Sequence, residues 1–416
     1  MAVHSEHLGT THPDDGTRLC LIALTERLSH FLVMTFLALH LNERRGYSEA
    51  EALSLCGLYG GVVYVSAIGG GWLADRLNQH RRAVQLGALL LALGYLALAQ
   101  LWVPIALALA VLTAGHGLFK PSLSVLFGRL RGRSGEDRFR LLYLMVNLGA
   151  AAAPFVAQSS LSAVGRTAPF YLAAALSVVA VLTRLQADGT SSEAASADRA
   201  ASSSKRPLSA LGIMVLCLLV VVFFAAFQQT EGALIFWARD RTDRSLFGAE
   251  VPTLWLSSLP AVCVLLTAAP LTAFWSQLAR RGLATTPQVK LRAGLLVSAL
   301  AFGLFAVVAQ QIGPGGKAAM VWLVLFNIPM SVAELCVAPV AMAFVHSISP
   351  GRRQGLGMGL WFLLVAVGNW LSGQLGGLST ARSGVWTWGM WALLAIALLL
   401  SWLLSLVALP ESRSTS

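Results

Sequence analysis

Apolar runs of about 20 residues recur from one end of this chain to the other, and they limit its possible folds more than any other feature. An α-helix of that length crosses about 30 Å of hydrocarbon. Hydrophobic residues make up 56% of the 416 residues and charged residues only 12%, about half the charged share of a typical soluble domain. The sequence therefore predicts an all-α, polytopic membrane protein.

Dividing these runs at glycine, proline and charged clusters predicts twelve transmembrane helices. Their approximate bounds are 19–41, 52–74, 83–100, 103–127, 139–160, 166–185, 208–238, 252–279, 290–311, 318–347, 355–378 and 384–408. We refer to them as spans one to twelve. The connection at Trp102-Val103-Pro104 is so short that spans three and four must form a tight hairpin.

A low-complexity stretch at 186–207, rich in Ser, Ala and charge, separates span six from span seven. Such a composition buries too little apolar surface to fold, which indicates a linker. The predicted organisation is a tail (1–18), a six-helix bundle (19–185), the linker (186–207), a second six-helix bundle (208–409) and a tail (410–416). Two bundles joined in this way are typical of an alternating-access transporter.

The formal net charge is +11, and the position of the basic residues argues against a nucleic-acid partner. They cluster in alternate short loops and form no face interleaved with exposed aromatics. The basic loops lie around 75–83, 128–140, 185–207, 279–292 and 348–354. The positive-inside rule then predicts a multi-pass protein of the inner (plasma) membrane with both termini in the cytoplasm.

Enzyme chemistry finds little support in the sequence. A membrane-embedded enzyme is an alternative, but there is no HExxH or GxSxG motif. The eight histidines show no metal-ligand clustering, and the five cysteines are scattered singly through apolar segments. We therefore expect no catalytic residue, no metal and no cofactor.

The loop after span two carries a pattern of glycine, acid and arginines. It reads Gly71-Trp-Leu-Ala-Asp75-Arg76 and continues to Arg81-Arg82, with Asn78 and Gln79 where a glycine is usual. It resembles the GxxxDRxxRR motif of the major facilitator superfamily, which implies a lock on the cytoplasmic side. The alternative is ordinary positive charge at a helix end.

Four further stretches resemble the proton-dependent oligopeptide transporters of that superfamily. They are TERLSHF at 25–31, GHGLFKPS at 115–122, FQQ at 227–229, and a run from AEL at 333–335 through MGLWF at 358–362 to 368–369. The resemblance implies the twelve-helix major facilitator fold. It also implies transport of short peptides or peptide-like zwitterions.

Four ionisable residues lie deep within predicted spans: Glu26, Arg27, Lys120 and Glu334. Charge at that depth is costly unless it is paired or wet, so each is a functional-site hypothesis. We expect them to line a cavity between the bundles. Glu26 and Lys120 could instead form a structural ion pair.

The resemblance implies roles for these residues and for others in matching positions. Arg27 and Lys120 would meet a substrate carboxylate, and Glu334 its ammonium group. The implied substrate-binding set is Arg27, His30, Phe31, Tyr64, Lys120, Asn147, Gln228, Glu334 and Trp361. The candidates for proton coupling are Glu26, His30, His116 and Glu334.

Departures from the family pattern affect coupling. Ala23 and Gln228 stand where the family carries acids, and Met34 replaces an arginine. His30 and His116 could carry a proton instead or be neutral hydrogen-bonding residues. Because Lys120 is one turn away, His116 is the weaker candidate. We expect transport to be uncoupled, or weakly coupled through Glu26 or His30.

These departures also leave an alternative function open. The chain could be an exporter or an uncoupled uniporter of an amine-bearing natural product or drug-like compound. In either case we expect a monomer in the lipid bilayer whose partners are a small-molecule or short-peptide substrate and possibly protons.

Overall fold

The structure is a computed structural model, and it describes residues 14–130, 135–183, 210–228, 233–246, 248–251, 253–256, 258–313, 315–349, 353–381 and 385–405. Its helices are α1 (Asp14–Arg45), α2 (Glu49–Leu77), α3 (His80–Ala99), α4 (Ile105–Gly128), α5 (Gly135–Val164), α6 (Ala168–Leu182), α7 (Ala210–Phe227), α8 (Ala233–Asp240), α9 (Thr253–Leu256), α10 (Leu259–Arg280), α11 (Pro287–Ile312), α12 (Val321–Ile348), α13 (Gln354–Ala381) and α14 (Val385–Ser405).

Two small strand pairs join loops in the second half of the chain. Strand β1 (Thr242–Asp243) pairs in parallel with β4 (Ala318–Ala319), and β2 (Ser245–Leu246) pairs antiparallel with β3 (Ala249–Glu250). The other regular elements of the described residues are helices.

The helices correspond to the twelve predicted spans. By length and apolar composition, eight described helices can cross a membrane. Helix α1 is bent between Gly16–Met34 and Phe36–Arg45, and it is the ninth if these two parts count as one span. Three shorter apolar helices account for the remaining spans, at Ala168–Leu182, Gly212–Phe227 and Ala395–Leu404. The all-α polytopic fold predicted from the apolar runs is therefore confirmed.

Several predicted boundaries differ from the structure. Helix α1 begins at Asp14, so residues 14–18 are helical although the sequence placed them in a tail. Polarity ends the apolar run there, but no helix-breaking proline lies between Asp14 and Leu19. Within span seven, α7 ends at Phe227 and α8 begins at Ala233. The linker 186–207 and the tail 410–416 lie outside the described residues.

The helices pack as two neighbouring groups. We call α1–α6 the N-set and α7–α14 the C-set. Within the N-set, α1 packs on α5 and α6, and α3 packs on α4; within the C-set, α11 packs on α12 and α14. Between the sets, α2 packs along α13, and α5 contacts α10 and α12.

The loop from α2 to α3 explains the missing motif glycine. Asn78 has a left-handed backbone conformation, with φ 50° and ψ 40°, and its N–H donates to the last carbonyls of α2. Asparagine is the residue other than glycine that tolerates this conformation at a helix end. Asn78 therefore performs the turn that a glycine usually makes.

Glycines allow α2 to approach α4 of the N-set and α13 of the C-set closely. A Cβ on Gly70 would overlap the backbone of Gly117 in α4, and one on Gly71 would overlap the carbonyl of Gly355 in α13. Gly69, the preceding residue, has open space where its Cβ would lie. Helix α2 is therefore wedged between α4 and α13 by small residues.

We expect Gly70→Ala to destabilise the protein by roughly 1–3 kcal/mol, because the added methyl must push the α4 backbone away. Gly69→Ala is the matched control and should unfold close to wild type, since nothing lies within 4 Å of its new methyl. Thermal unfolding in detergent measures both. Equal melting temperatures for the two variants would contradict this packing.

Candidate functional site

The first buried charge cluster joins α1 to α4. The Arg27 guanidinium donates to both oxygens of Glu26, from Nε at 2.6 Å and from Nη2 at 2.5 Å. His116 Nδ1 lies 3.2 Å from Glu26 Oε1, and His116 Nε2 lies 3.2 Å from His30 Nδ1. The Glu26 side chain is 1% exposed and the His116 side chain is fully buried.

Lys120 lies near this cluster but contacts a different group. Lys120 is 6% exposed, and its ammonium nitrogen lies 4.7 Å from the centroid of the Tyr64 ring. In the described part of the chain, no carboxylate is within ion-pair distance of Lys120. The alternative of a Glu26–Lys120 ion pair is therefore wrong, because Glu26 is already engaged by Arg27 and His116.

The third group spans the two sets. The Tyr143 hydroxyl of α5 donates to Glu334 Oε1 of α12, whose residue is 4% exposed. Asn147, one turn after Tyr143, donates from Nδ2 to the Tyr143 carbonyl at 3.0 Å. A charge from the C-set is thus held by a hydroxyl from the N-set.

Aromatic side chains surround these polar groups. The Tyr64 and Phe362 rings approach across the sets at 6.3 Å, and Trp361 packs edge-on against Phe224 at 5.9 Å. The His30 ring contacts Phe31 at 5.3 Å. Phe224 and Trp361 are buried. Buried rings exclude water and so strengthen the electrostatic interactions beside them.

The structure brings most of the predicted residues into these neighbouring groups. Gln228 follows the last turn of α7 and has a half-buried side chain. Sequence reasoning missed Tyr143. Its only signal was the four-residue spacing to Asn147, which places both on one face of a helix.

The loop motif forms a contact between the sets. The Asp75 carboxylate accepts hydrogen bonds from the backbone N–H groups of Gly355 at 2.8 Å and Leu356 at 2.7 Å, at the start of α13. His80 Nε2 lies 3.2 Å from the same carboxylate. A carboxylate at the N-terminus of a helix is stabilised by the helix dipole.

Other contacts between the sets lie at the same end of the bundle, which we call the basic side. Arg129 Nε donates to Gln354 Oε1 at 3.0 Å, and Lys290 Nζ donates to Glu136 Oε2 at 2.5 Å. His346 packs on the Phe139 ring at 5.6 Å and closely against Gly128. The two sets are therefore closed against each other on the basic side.

Two arginines of the motif contact residues of the N-set. Arg76 is exposed, with its guanidinium carbon 5.4 Å from the centroid of the Trp72 ring, and Arg82 donates to Gln79 Oε1 at 3.0 Å. Arg81 is half-buried. Asp75 and Gly71 of the motif contact the C-set.

Removal of the Tyr143 hydroxyl should destabilise the ligand-free protein. A hydrogen bond to a charged group contributes about 1.5–3 kcal/mol, so we expect Tyr143→Phe to lose roughly that much. Tyr171→Phe is the control, because its hydroxyl accepts only an exposed hydrogen bond from Gln100. Thermal unfolding without ligand compares the two. A melting temperature for Tyr143→Phe equal to that of Tyr171→Phe would contradict the importance of this contact.

Metal chemistry has no site in the described residues. They contain no group of three or more His, Cys, Asp or Glu side chains that could hold an ion. The described cysteines are free thiols.

Comparisons with known proteins agree on one family. The model of the POT family matches residues 192–388. The peptide transporter YePEPT of Yersinia enterocolitica is 26% identical over 88% of this chain and 88% of its own length. The dipeptide and tripeptide permease A of Yersinia pestis is 25% identical over 87% of this chain and 83% of its own length.

Solved structures show the same fold. A POT family transporter in complex with 5-aminolevulinic acid has a TM-score of 0.72 at 19% identity, over 95% of this chain and 96% of that chain. A mutant of peptide transporter POT in complex with alafosfalin has a TM-score of 0.71 at 24% identity, over 94% of both chains.

Proposed function

We propose that this chain is a transporter of the POT family and that it moves short peptides or peptide-like zwitterions across the membrane by alternating access. The observation that carries the proposal is a pair of buried, opposite charges on separate helix sets. Lys120 belongs to the N-set and Glu334 to the C-set, and each contacts a tyrosine. A zwitterion that binds both charges would draw the sets together.

The proposed roles follow the chemistry of the groups. Arg27 and Lys120 bind the carboxylate of the solute, and Glu334 binds its ammonium group. Asn147, Gln228 and the rings of Tyr64, Phe31 and Trp361 contact the remainder of the solute. His30 lies at the edge of the residues that bind the solute. The names of the relatives and of the ligands in the solved structures support a peptide-like solute.

The placement in the cell is also part of the proposal. The chain is a multi-pass membrane protein. We place it in the inner (plasma) membrane as a monomer, with the basic side and both termini in the cytoplasm. The cytoplasmic side is then closed in this structure. It is a carrier and has no catalytic function.

Counterflow in proteoliposomes tests the transport function. Vesicles loaded with unlabelled dialanine should take up labelled dialanine by exchange, and a tripeptide should compete with it. Lys120→Gln should abolish most of this exchange, because a cation near a carboxylate in such an environment is worth about 4 kcal/mol. Absence of exchange for every di- and tripeptide tested, with folded protein, would contradict the function.

A further inference from the structure

The His346 side chain packs across the two sets on the basic side, and we propose that it is a pH-sensitive switch that opens this side when it is protonated. The inference rests on the proposed alternating-access function and adds a means of regulating it. His346 lies in the last turn of α12, the helix of the C-set that contacts α4 and α5 of the N-set.

The imidazole ring occupies the space that a side chain at the end of α4 would need. A Cβ on Gly128, the last residue of α4, would lie 2.5 Å from His346 Nε2 and 2.7 Å from His346 Nδ1, closer than real Cβ atoms approach. The buried Phe139 ring of α5 meets the same imidazole edge-on, with 5.6 Å between the ring centroids. The imidazole thus contacts two helices of the opposite set while the basic side is closed.

The closed contact suits a neutral ring. His346 Nδ1 is buried and has no hydrogen-bond partner within the described residues. A neutral imidazole can keep its single hydrogen on Nε2, whereas an imidazolium carries a second hydrogen on Nδ1. Protonation in the closed state would therefore bury a charged donor that lacks an acceptor, which is unfavourable.

Positive charge approaches the ring from the N-set. Arg129 follows α4, Arg138 belongs to α5 and His80 begins α3, and all three act electrostatically on the ring. Arg138 donates to the carbonyl of Gly128. Arg129 Nε donates to Gln354 Oε1 of α13 at 3.0 Å, so the contact between the sets holds this arginine in place. Burial of the ring and the nearby cations both disfavour an imidazolium while the sets are closed.

The carboxylates at this end are engaged by other groups. Asp75 contacts His80 and the backbone N–H groups at the start of α13, and Glu136 of α5 binds Lys290 of α11. Arg280, at the end of α10, is exposed. Helices α7 and α13 contain no Asp, Glu, Lys, Arg or His. No carboxylate in the described part of the chain is therefore placed to balance a charge on the ring.

Acid should therefore favour the open state. When the sets separate, the ring leaves both arginines and meets water, where an ordinary histidine takes up a proton near pH 6.5. Below that pH the open state gains a bound proton and the closed state does not. Above it the ring is neutral in both states and the closed contact is kept. From pH 7.5 to pH 5.5 the ratio of open to closed molecules should rise about tenfold. Acidification on the basic side then slows uptake.

Spin labels at Arg82→Cys and Arg281→Cys, two exposed positions of the basic side, measure this ratio in a cysteine-free background. With His346 present, acid should raise the population at longer distance about tenfold relative to the closed one. His346→Gln is neutral at every pH and should stay equally closed across the range. His346→Lys carries a fixed charge and should be open at both ends of it.

Two other histidines provide the controls. His40→Gln removes a buried histidine near the C-terminus of α1, packed on Phe170, and should keep the full response to acid. His80→Gln should also keep a rise of about tenfold, because the Asp75 carboxylate that His80 contacts belongs to its own set.

An acid response of His346→Gln equal to that of the parent protein would overturn the switch. So would a parent protein whose distances do not change with pH, or a response that is lost in His80→Gln and kept in His346→Gln. Counterflow of dialanine by the same protein separates this inference from the transport function. A protein that opens in acid through His346 but exchanges no peptide would contradict the transport function and support the switch.

Discussion

Glu334→Gln is expected to weaken the binding of peptides with a free amino terminus by about tenfold to a hundredfold. A hydrogen bond between charged groups contributes about 1.5–3 kcal/mol, and each 1.4 kcal/mol is a factor of about ten in affinity. N-acetylated peptides lack the ammonium group and should bind nearly as well to the variant as to wild type. Calorimetric titration of both ligands against both proteins measures the difference.

The matched control for this prediction is Glu51→Gln. It makes the same substitution at an exposed carboxylate, which accepts a hydrogen bond from the backbone N–H of Ser48 at the start of α2. Both ligands should bind Glu51→Gln with the same affinity as they bind wild type. If Glu334→Gln weakened the binding of both ligands equally, Glu334 would be a structural residue and would not bind the ammonium group.

Asp75→Asn is expected to open the basic side. The carboxylate accepts two backbone N–H groups from α13 and its side chain is 5% exposed, so the contact is shielded from water. Loss of its charge should cost the closed state about 2 kcal/mol, which changes the ratio of closed to open molecules by about 30-fold.

Spin labels at Gln79→Cys and Arg281→Cys, in a cysteine-free background, report the distance between the sets on the basic side. Asp75→Asn should add a population at longer distance. Asp137→Asn is the control, because Asp137 pairs with Arg140 within α5 and is half exposed on the same side. A distance distribution for Asp75→Asn identical to that of the control would contradict a lock at this position.

The twelve spans and the four deep charges were predictable because they depend on local sequence. The length of an apolar run indicates a span, and a charge at its middle is evident from position alone. The resemblance to the oligopeptide transporters added which side chains belong to the substrate site, such as Lys120 on span four. These predictions needed no knowledge of how the helices pack.

The partners of the charges were not predictable in the same way. Whether Glu26 meets Lys120 or His116 depends on the rotation of α1 against α4, which the sequence does not determine. Tyr143 and Glu334 are far apart in sequence and meet only because α5 of the N-set crosses α12 of the C-set. The sequence has Asn78 where the motif usually has a glycine, but only the backbone angles show that this asparagine makes the same turn.

We propose that one solute is held by charges of opposite sign on the two helix sets. Titration of the wild-type protein with dialanine, its N-acetyl form, its C-terminal amide and the doubly blocked form tests this most directly. We expect each blocked end to lower the affinity by at least about tenfold, since each removes one charge contact. Equal affinity for dialanine and the doubly blocked form would contradict it.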